Sequence, residues 1–519
     1  MADQEIELKF EVDPDAVARL EQTLIVRPGA KGLPAPQTLT SVYYDTADRD
    51  LQKAGFTLRI READGRRIQT VKAEAAGLSS RGEWEIELKT PDLDLQAAAR
   101  TPLAAVLEDL EGLLAPVFVT RVERTRHLVR QGKAKVEAAV DRGQIEADGR
   151  AMPLCELELE LKAGEPGALY ALARRLAQAT PLRLSFVSKA ERGYRLLDGQ
   201  LVGEAVKQAK VRLKRGMTAR QAFQTIAAGA LRQWVGNAAV LRAARRPEAL
   251  HQMRVGLRRM RTALKLFEAV VADEAYDRLN LELKWLGGEL DLGRDIDVLI
   301  ADTFRPAAGS FHGQSGMAGL GERLLKARTR AYDRAIAVLD EPRYLHLVLD
   351  MAAYIENGRW ADAADAAFAP QADQPIEAFA GRGLDRLRKQ VRKRGQGLKR
   401  LDPASRHKLR IRAKRLRYAV EFFGALYGGR KDEREAFLDR LRALQDDLGV
   451  LNDMTVALGK GLALAESGGR AAGDSEAEGM QEAFAAGLMI GARTLAEKDL
   501  LARAADNHDA LMDARRFWA

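Results

Sequence analysis

The chain has 519 residues, 46% apolar and 30% charged, which makes it a globular protein of two or three domains rather than a disordered one. Its net charge of +9 is unevenly spread: residues 1–200 hold 29 Lys+Arg against 32 Asp+Glu, a balance of −3, so residues 201–519 carry 54 against 42, a balance of +12. The lone Cys155 rules out an intrachain disulfide, no apolar run nears the roughly 18 residues of a membrane span, and the acidic start MADQEIELK has no signal-peptide core; a reducing cytoplasm is the expectation.

The first stretch with a pattern is EIELKF, Glu5 to Phe10. At period two it sets Glu5, Glu7 and Lys9 on one face and Ile6, Leu8 and Phe10 on the other. After a helical pattern at Asp15–Leu24, further strands are predicted at Ser41–Asp45, Gly55–Arg61, Arg67–Lys72, Arg81–Lys89, Val117–Val129, Ala134–Asp141 and Cys155–Lys162. Turn signals at Ala63-Asp-Gly65 and Ala147-Asp-Gly149 separate several of them, and a second helical pattern spans Pro166–Ala179.

Charges sort by face along these strands. Arg59 and Arg61 share one, as do Thr70 and Lys72, Arg124 and Arg126, and Glu137 and Asp141, with apolar partners such as Leu58, Ile60, Val136 and Leu157 opposite. A solvated outer face explains any one such strand. Six or more with matched signs fit a closed barrel whose charged interior holds ligand and water. A lining of Arg and Lys demands an anion, and carboxylates beside it would repel that anion unless divalent cations intervene; hard oxygen ligands suit Mg²⁺ or Mn²⁺. A polyphosphate with metal satisfies both charge sets.

From about Met217 helical periodicity dominates, broken by loop-like stretches at Arg305–Gly321 and Ala369–Pro375. Two segments align without a gap: His251-Gln-Met-Arg-Val-Gly-Leu-Arg-Arg-Met-Arg261 and His407-Lys-Leu-Arg-Ile-Arg-Ala-Lys-Arg-Leu-Arg417. The likeness continues from Leu283–Asp295 to Leu441–Asp453, so the region is duplicated and a pseudo-twofold helical domain is expected. At roughly 100° per residue, His251, Arg254, Arg258, Arg261 and Lys265 fall within an arc of about 80°, beside an apolar stripe of Met253, Leu257, Met260 and Leu264. His407, Arg410, Lys414 and Arg417 repeat the ridge. Residues 388–417 hold 14 Lys+Arg against the single acid Asp402, a concentration that binds polyanions. The downstream acids Asp295, Asp297 and Asp453 are expected to pair with the basic helices or to close the groove's rim rather than bind metal.

Glu5-x-Glu7-x-Lys9, with Arg59-x-Arg61, Lys72, Arg81, Glu85, Arg124, Asp141, the Glu156/Glu158/Glu160 strand and Ser188-Lys189 before Arg192-Gly-Tyr194, resembles CYTH domains, the triphosphate tunnel metalloenzymes, over residues 3–195. The two histidine helices resemble the CHAD domain, the conserved-histidine α-helical domain, over 217–510. The pair resembles bacterial CYTH–CHAD inorganic triphosphatases. The resemblance implies a multidomain protein: an α+β domain at 1–200 with an eight-stranded antiparallel tunnel barrel, a linker at 201–216, and an all-α duplicated bundle at 217–515. It implies Lys9, Arg59, Arg61, Lys72, Arg81, Arg124, Arg126 and Lys189 as triphosphate ligands. Glu5, Glu7 and Lys9 are the implied catalytic strand; Glu5, Glu7, Asp141 and two of Glu156, Glu158 and Glu160 would hold Mg²⁺ or Mn²⁺. His251, Arg254, Arg258, Arg261, His407, Arg410, Lys414 and Arg417 would bind inorganic polyphosphate.

The leading expectation is therefore a metal-dependent hydrolase of tripolyphosphate, tethered to long polyphosphate chains or granules in the cytoplasm. A nucleoside or thiamine triphosphatase, or an adenylate cyclase of the same tunnel family, is the alternative enzyme. A polyphosphate-binding protein without activity is the alternative binder. Nucleic acid is disfavoured because the basic ridges lack interleaved aromatics. No GxxxxGK[ST], HExxH or GxSxG occurs.

Overall fold

The computed structural model describes residues 3–24, 34–73, 77–110, 112–311, 313–314, 316–362, 364–468, 480–481, 483–488 and 497–519. Among the described residues nine strands form one antiparallel sheet: β1 (Asp3–Val12), β2 (Gln37–Asp45), β3 (Phe56–Ala63), β4 (Arg66–Ala73), β5 (Ser80–Leu88), β6 (Ala115–Gln131), β7 (Ala134–Ala147), β8 (Arg150–Ala163) and β9 (Leu182–Leu184). Their order is β5-β4-β3-β2-β6-β7-β8-β1-β9, and β5 also pairs with β1. Eight strands thus close a ring. The ninth, too short to register in the sequence, lies beside β1.

β1 is the strand that closes it. One edge pairs with β8 over Glu7–Glu11; the other is shared, β5 taking Asp3–Ile6 and β9 taking Phe10–Val12. Two hairpins are tight because Asp64-Gly65 and Asp148-Gly149 hold positive φ at both turn residues (51° and 77°, 49° and 71°), the geometry whose twist matches the flanking strands. Alternation sends the apolar residues outward. Leu58 and Val71 are buried against Ala98, Leu103, Leu107 and Leu110, so the turn-rich segment 95–110 covers that side. Helices α1 (Val17–Leu24) and α2 (Gly167–Ala177) pack over β7 and β8, where Val136, Val140, Leu157 and Leu159 are sealed. Helix α3 (Lys189–Leu197) starts at Ser188, whose hydroxyl accepts from Glu191 N at 3.1 Å.

Further helices are α4 (Ala219–Ala244), α5 (Pro247–Leu266), α6 (Tyr276–Leu299), α7 (Met317–Asp340), α8 (Pro342–Asn357), α9 (Ile376–Gly395), α10 (Pro403–Phe423), α11 (Lys431–Gly468) and α12 (Glu497–Asp513). The chain divides into two compact units. One comprises Met1–Lys207, Leu231–Met253 and Leu339–Asp362; the other comprises Gln208–Ala230, Arg254–Val338 and Ala363–Ala519. Most of α4 and all of α8 therefore pack with the barrel. The two stretches read as loops are partly helical: Arg305–Ser310 follows α6 through a wide turn at Ile300–Phe304, and Ala369–Ala372 forms one turn. Both short helices carry proline in the first turn, where a missing N–H costs nothing.

Candidate active site and anion groove

The ring's interior collects the charges that the strand faces carry. Arg124 of β6 is bidentate on Asp141 of β7, at 2.6 and 2.7 Å, and also donates to Glu158 of β8. Lys189, at the start of α3, reaches into the same cluster: its Nζ lies 2.8 Å from both Asp141 and Glu158 and touches Glu156 as well. Lys9 of β1 completes it, 3.2 Å from Glu158 and 3.9 Å from Glu156. Asp141 and Glu156 have no solvent exposure. On the far wall Lys72 Nζ sits between Glu5 at 2.9 Å and Glu83 at 3.0 Å, and Arg59 lies 3.7 Å from Glu83 and 3.4 Å from the Tyr43 hydroxyl. Arg61 is near Ser41 Oγ at 3.4 Å, and Thr70 donates to Glu85 at 3.1 Å.

Electrostatics follow from this crowding. Burial pushes the Glu158 and Asp141 carboxyls up, but Lys189 and Arg124 outweigh it and hold both below the ordinary carboxylate range, with Lys9 adding to the effect on Glu158. Burial would lower Lys189; Asp141, Glu156 and Glu158 reverse that and raise it. Arg61 is the under-compensated member, brought down to about 10 by burial and by its neighbours Arg59 and Arg124. Glu160 behaves oppositely. Burial and the proximity of Glu5 and Glu137 raise it, although Lys162 pairs with it at 2.6 Å.

Carboxyl oxygens of Asp141, Glu156 and Glu158 lie within 4.8 Å of one another, close enough to share a cation. The Lys189 ammonium already stands among them. Glu160 is the acid raised by burial and by the nearness of Glu5 and Glu137, and a carboxylate crowded by like charges is one that a divalent cation relieves. Hard oxygen donors of the kind that fit a divalent metal are thus present in the Asp141, Glu156 and Glu158 group and beside Glu160.

Of the other sequence-derived residues, Glu7 is buried beside Lys9 in β1, and the Arg81 side chain lies outside the described residues. Arg126 is exposed, 3.9 Å from Glu137. Glu83, which braces Lys72 and Arg59, was missed, although it shares the period-two face of Glu85 that could have signalled it. Tyr43 serves both core and site: it stacks on Phe118 with centroids 4.6 Å apart and offers its oxygen to Arg59. Gly193 of Arg192-Gly-Tyr194 is explained by a close approach, since a Cβ there would meet the Phe118 ring at 2.3 Å. Arg192 itself donates to Glu11 at 2.9 Å and lies 3.7 Å from Glu156.

In the helical part α10 begins with Asp402 accepting from Ser405 N at 2.9 Å and Pro403 in the first turn. The apolar stripes of α5 and α10 are buried: Met253, Leu257, Met260 and Leu264 in one, Leu409, Ala413 and Leu416 in the other. Their basic edges converge. Arg258 Nε lies 3.5 Å from the Tyr418 hydroxyl, and burial followed by Arg410, Arg258 and Arg417 brings Lys414 down to about 7. Arg254 and Arg410 are lowered too, chiefly by burial. Asp295 lies 4.0 Å from Arg254 and Asp453 3.9 Å from Arg410, as their pairing requires. Asp297 differs: it accepts from Arg328 at 2.7 Å and Tyr332 at 2.6 Å on α7 and so braces another helix, not the ridge. Arg261 is exposed; His251 is half-buried one turn before Arg254; His407 Nδ1 is 2.7 Å from Asn452 Oδ1.

Comparison with known families decides the identity of both parts. Residues 3–194 match the CYTH domain and residues 225–459 match the CHAD domain. The chain is a CYTH domain followed by a CHAD domain. Over 199 residues, 37% of this chain, it is 34% identical to an inorganic triphosphatase of Haemophilus influenzae, and it spans about half of that relative's length, 55%. A crystal structure of the CHAD domain from the plant Ricinus communis is 32% identical, covers 60% of this chain and 98% of that one, and superposes with a TM-score of 0.50. The antiparallel ring is thus the CYTH domain, and the paired basic helices belong to the CHAD domain. Among the described residues no helix is long and apolar enough to cross a membrane.

Proposed function

We propose that this protein is a metal-dependent inorganic triphosphatase, hydrolysing tripolyphosphate to phosphate and diphosphate in the CYTH tunnel. The observation that carries the reading is the set of six cations, Lys9, Arg59, Arg61, Lys72, Arg124 and Lys189, gathered inside one ring, all but Arg61 paired with carboxylates. Such a site is charge-compensated when empty of anion and ready to exchange carboxylates for phosphate oxygens. Phosphoryl transfer needs neutralised and positioned oxygens more than covalent help. Lys9, Arg124 and Lys189 would hold one end of the chain, Arg59, Arg61 and Lys72 the other. Arg126, exposed beside Glu137, is the outer member of the set, and Arg81 is proposed as a further phosphate ligand.

Mg²⁺ or Mn²⁺ would neutralise phosphate oxygens and polarise the attacking water. On the β1–β8 register the reading takes Glu158 and Glu160 as its carboxylates in β8, with Glu5 and Glu7 in β1, since Glu7 is the Cα partner of Glu160 and Glu156 lies farther along the strand. In this reading Glu156 is the spare acid, and Asp141, whose carboxyl lies within 4.8 Å of that of Glu158, belongs to the metal set.

An inorganic substrate is favoured over an organic one by the fate of the aromatics. Tyr44 and Trp84 pack with the outer cluster around Leu58 and Val71, and Tyr43 with Phe118 and Tyr194, so these aromatics are engaged in packing rather than set to stack on a base or thiamine ring. The CHAD domain would bind long polyphosphate through Arg254, Arg258, Arg261, Arg410, Lys414 and Arg417, with His251 and His407 at the ridge ends, in the cytoplasm or on polyphosphate granules. Its domain limits are proposed at 217–515, with a linker at 201–216 and the tunnel domain at 1–200.

Phosphate release from tripolyphosphate, ATP and thiamine triphosphate with Mg²⁺ or Mn²⁺, wild type against Glu7→Gln, tests the reading. Preference for tripolyphosphate, lost in the variant, supports it. Preference for an organic triphosphate moves the assignment to the other tunnel activities, and release from none of them leaves a binding protein.

A further inference from the structure

The seam where β5 meets β1 is the shortest join of the ring, four residue pairs from Asp3↔Glu83 to Ile6↔Ser80, followed by one bond from Glu7 N to Ser79 O at 2.8 Å. Two side chains that matter to the tunnel sit on it: Glu5 and Glu83, which together hold Lys72. Just beyond the paired residues the chain is gripped from outside. Glu356, near the end of α8, accepts with one oxygen from Leu78 N and Ser79 N, both at 2.9 Å, and with the other from Ser79 Oγ and from the Tyr170 hydroxyl of α2, both at 2.7 Å. Leu78 and Ser79 are buried. Arg232 of α4 donates to the carbonyl of Gly77, and Asp350, two turns back along α8, accepts from Arg174 of α2 at 2.8 Å.

Four uncharged donors saturate this carboxylate. Two successive backbone N–H groups with a hydroxyl form a small anion cradle, and charge-assisted bonds of this kind are roughly twice as strong as neutral ones. All the residues belong to one compact unit, yet Glu356, Asp350 and Arg232 lie inside the stretch that matches CHAD. The grip on the tunnel therefore comes from the other family's sequence, 277 positions beyond Ser79.

We propose that Glu356 is a positioning residue of the triphosphate tunnel: by clamping Leu78 and Ser79 it fixes the β1–β5 seam, and through it the places of Glu5, Glu83 and Lys72. The kinetic side of this inference rests on the triphosphatase reading above. Without the carboxylate two buried N–H groups lose their acceptor, the last seam bond frays, and Lys72 is no longer held between two fixed acids.

The test compares wild type, Glu356→Ala and Glu356→Gln as full-length chains. Phosphate release is measured over ranges of tripolyphosphate and of Mn²⁺, and amide exchange is followed over residues 78–88, with the β7–β8 hairpin as internal reference. Glu356→Ala is expected to raise KM and the half-saturating Mn²⁺ concentration about tenfold, the scale of a lost buried acceptor, with kcat changed far less. Exchange should quicken at 78–88 and not in β7–β8. Glu356→Gln, whose amide oxygen can still accept from both N–H groups, should recover most of each effect. A fall in kcat with KM and metal dependence unchanged would overturn the proposal and leave Glu356 a packing residue. Should the wild type release no phosphate, the triphosphatase reading fails by itself; the clamp then stands or falls on whether 78–88 loses protection in Glu356→Ala.

Discussion

Lys9 and Glu158 are Cα partners across the β1–β8 ladder, and their side chains meet at 3.2 Å inside the tunnel. The same register sets Glu7 opposite Glu160 and Glu11 opposite Glu156, so three carboxylates of one strand face three different environments. Glu158→Gln and Glu160→Gln should each raise the half-saturating metal concentration, and Glu158→Gln should cut phosphate release by about 100-fold, the scale of a lost electrostatic contact to the reacting group. Glu156→Gln should leave the metal dependence unchanged and act on substrate binding alone, because it removes one of the acids that compete with phosphate for Lys189. Titrating metal against the three variants checks this; a shift in Glu156→Gln alone would reverse the assignment.

Acid should loosen the tunnel before the rest of the chain. Asp141 and Glu158 have folded pKa values below their unfolded values near 4, so their contribution to stability is present above about pH 4 and is lost as pH falls through the folded values. In metal-free buffer the melting temperature should hold from pH 7 to 5 and drop below about pH 4. In Glu158→Gln that acid-side drop should be shallower. Scanning calorimetry across this range reads both.

Lys414 gives the helical groove its own pH dependence. With its folded pKa near 7, set by burial and by Arg410, Arg258 and Arg417, it is mostly neutral at pH 8 and must take up a proton to meet a polyanion. Polyphosphate binding should weaken as pH rises through 7 and should absorb protons at pH 8, seen as buffer-dependent heats in titration calorimetry. Lys414→Ala should abolish the uptake. Arg258→Ala should weaken binding about tenfold and reduce its salt sensitivity while phosphate release from tripolyphosphate stays at the wild-type rate.

Gly193→Ala should destabilise the tunnel domain by about 1–3 kcal/mol, since its methyl group would overlap the Phe118 ring and the helix must shift. That helix carries Lys189 and Arg192, so phosphate release should fall with stability. Differential scanning fluorimetry with a parallel activity assay tests both; unchanged melting would refute the steric account.

Much of the tunnel was legible because alternation is a local property. EIELKF, the Arg59/Arg61 pair and the β8 acids announce their faces within a few residues, and the two Asp-Gly turns fix hairpins between them. What alternation cannot supply is register between strands far apart in the chain. Glu156, Glu158 and Glu160 are equivalent in sequence and become distinct only when β1 lies beside them. Glu83 was overlooked for the same reason: its value lies in reaching Lys72 and Arg59 on two other strands. Asp297 looked like Asp295, two positions away, but 200° of helical rotation turns it toward Arg328 and Tyr332. Glu356 left no trace at all, since an acid near a helix end has no pattern that names a loop 277 residues earlier.

The closed ring also governs how the chain can assemble itself. Glu7 and Glu160, partners in β1 and β8, stand 153 positions apart, and β1 has no hydrogen-bonded neighbour until β5 or β8 has been synthesised. Contacts of such long range make folding slow, and a strand waiting with Ile6, Leu8 and Phe10 on one face is an open edge that other chains can join. β1 thus keeps one edge open until β8, about 140 positions later, has followed it. During synthesis it is the segment that a chaperone would need to hold.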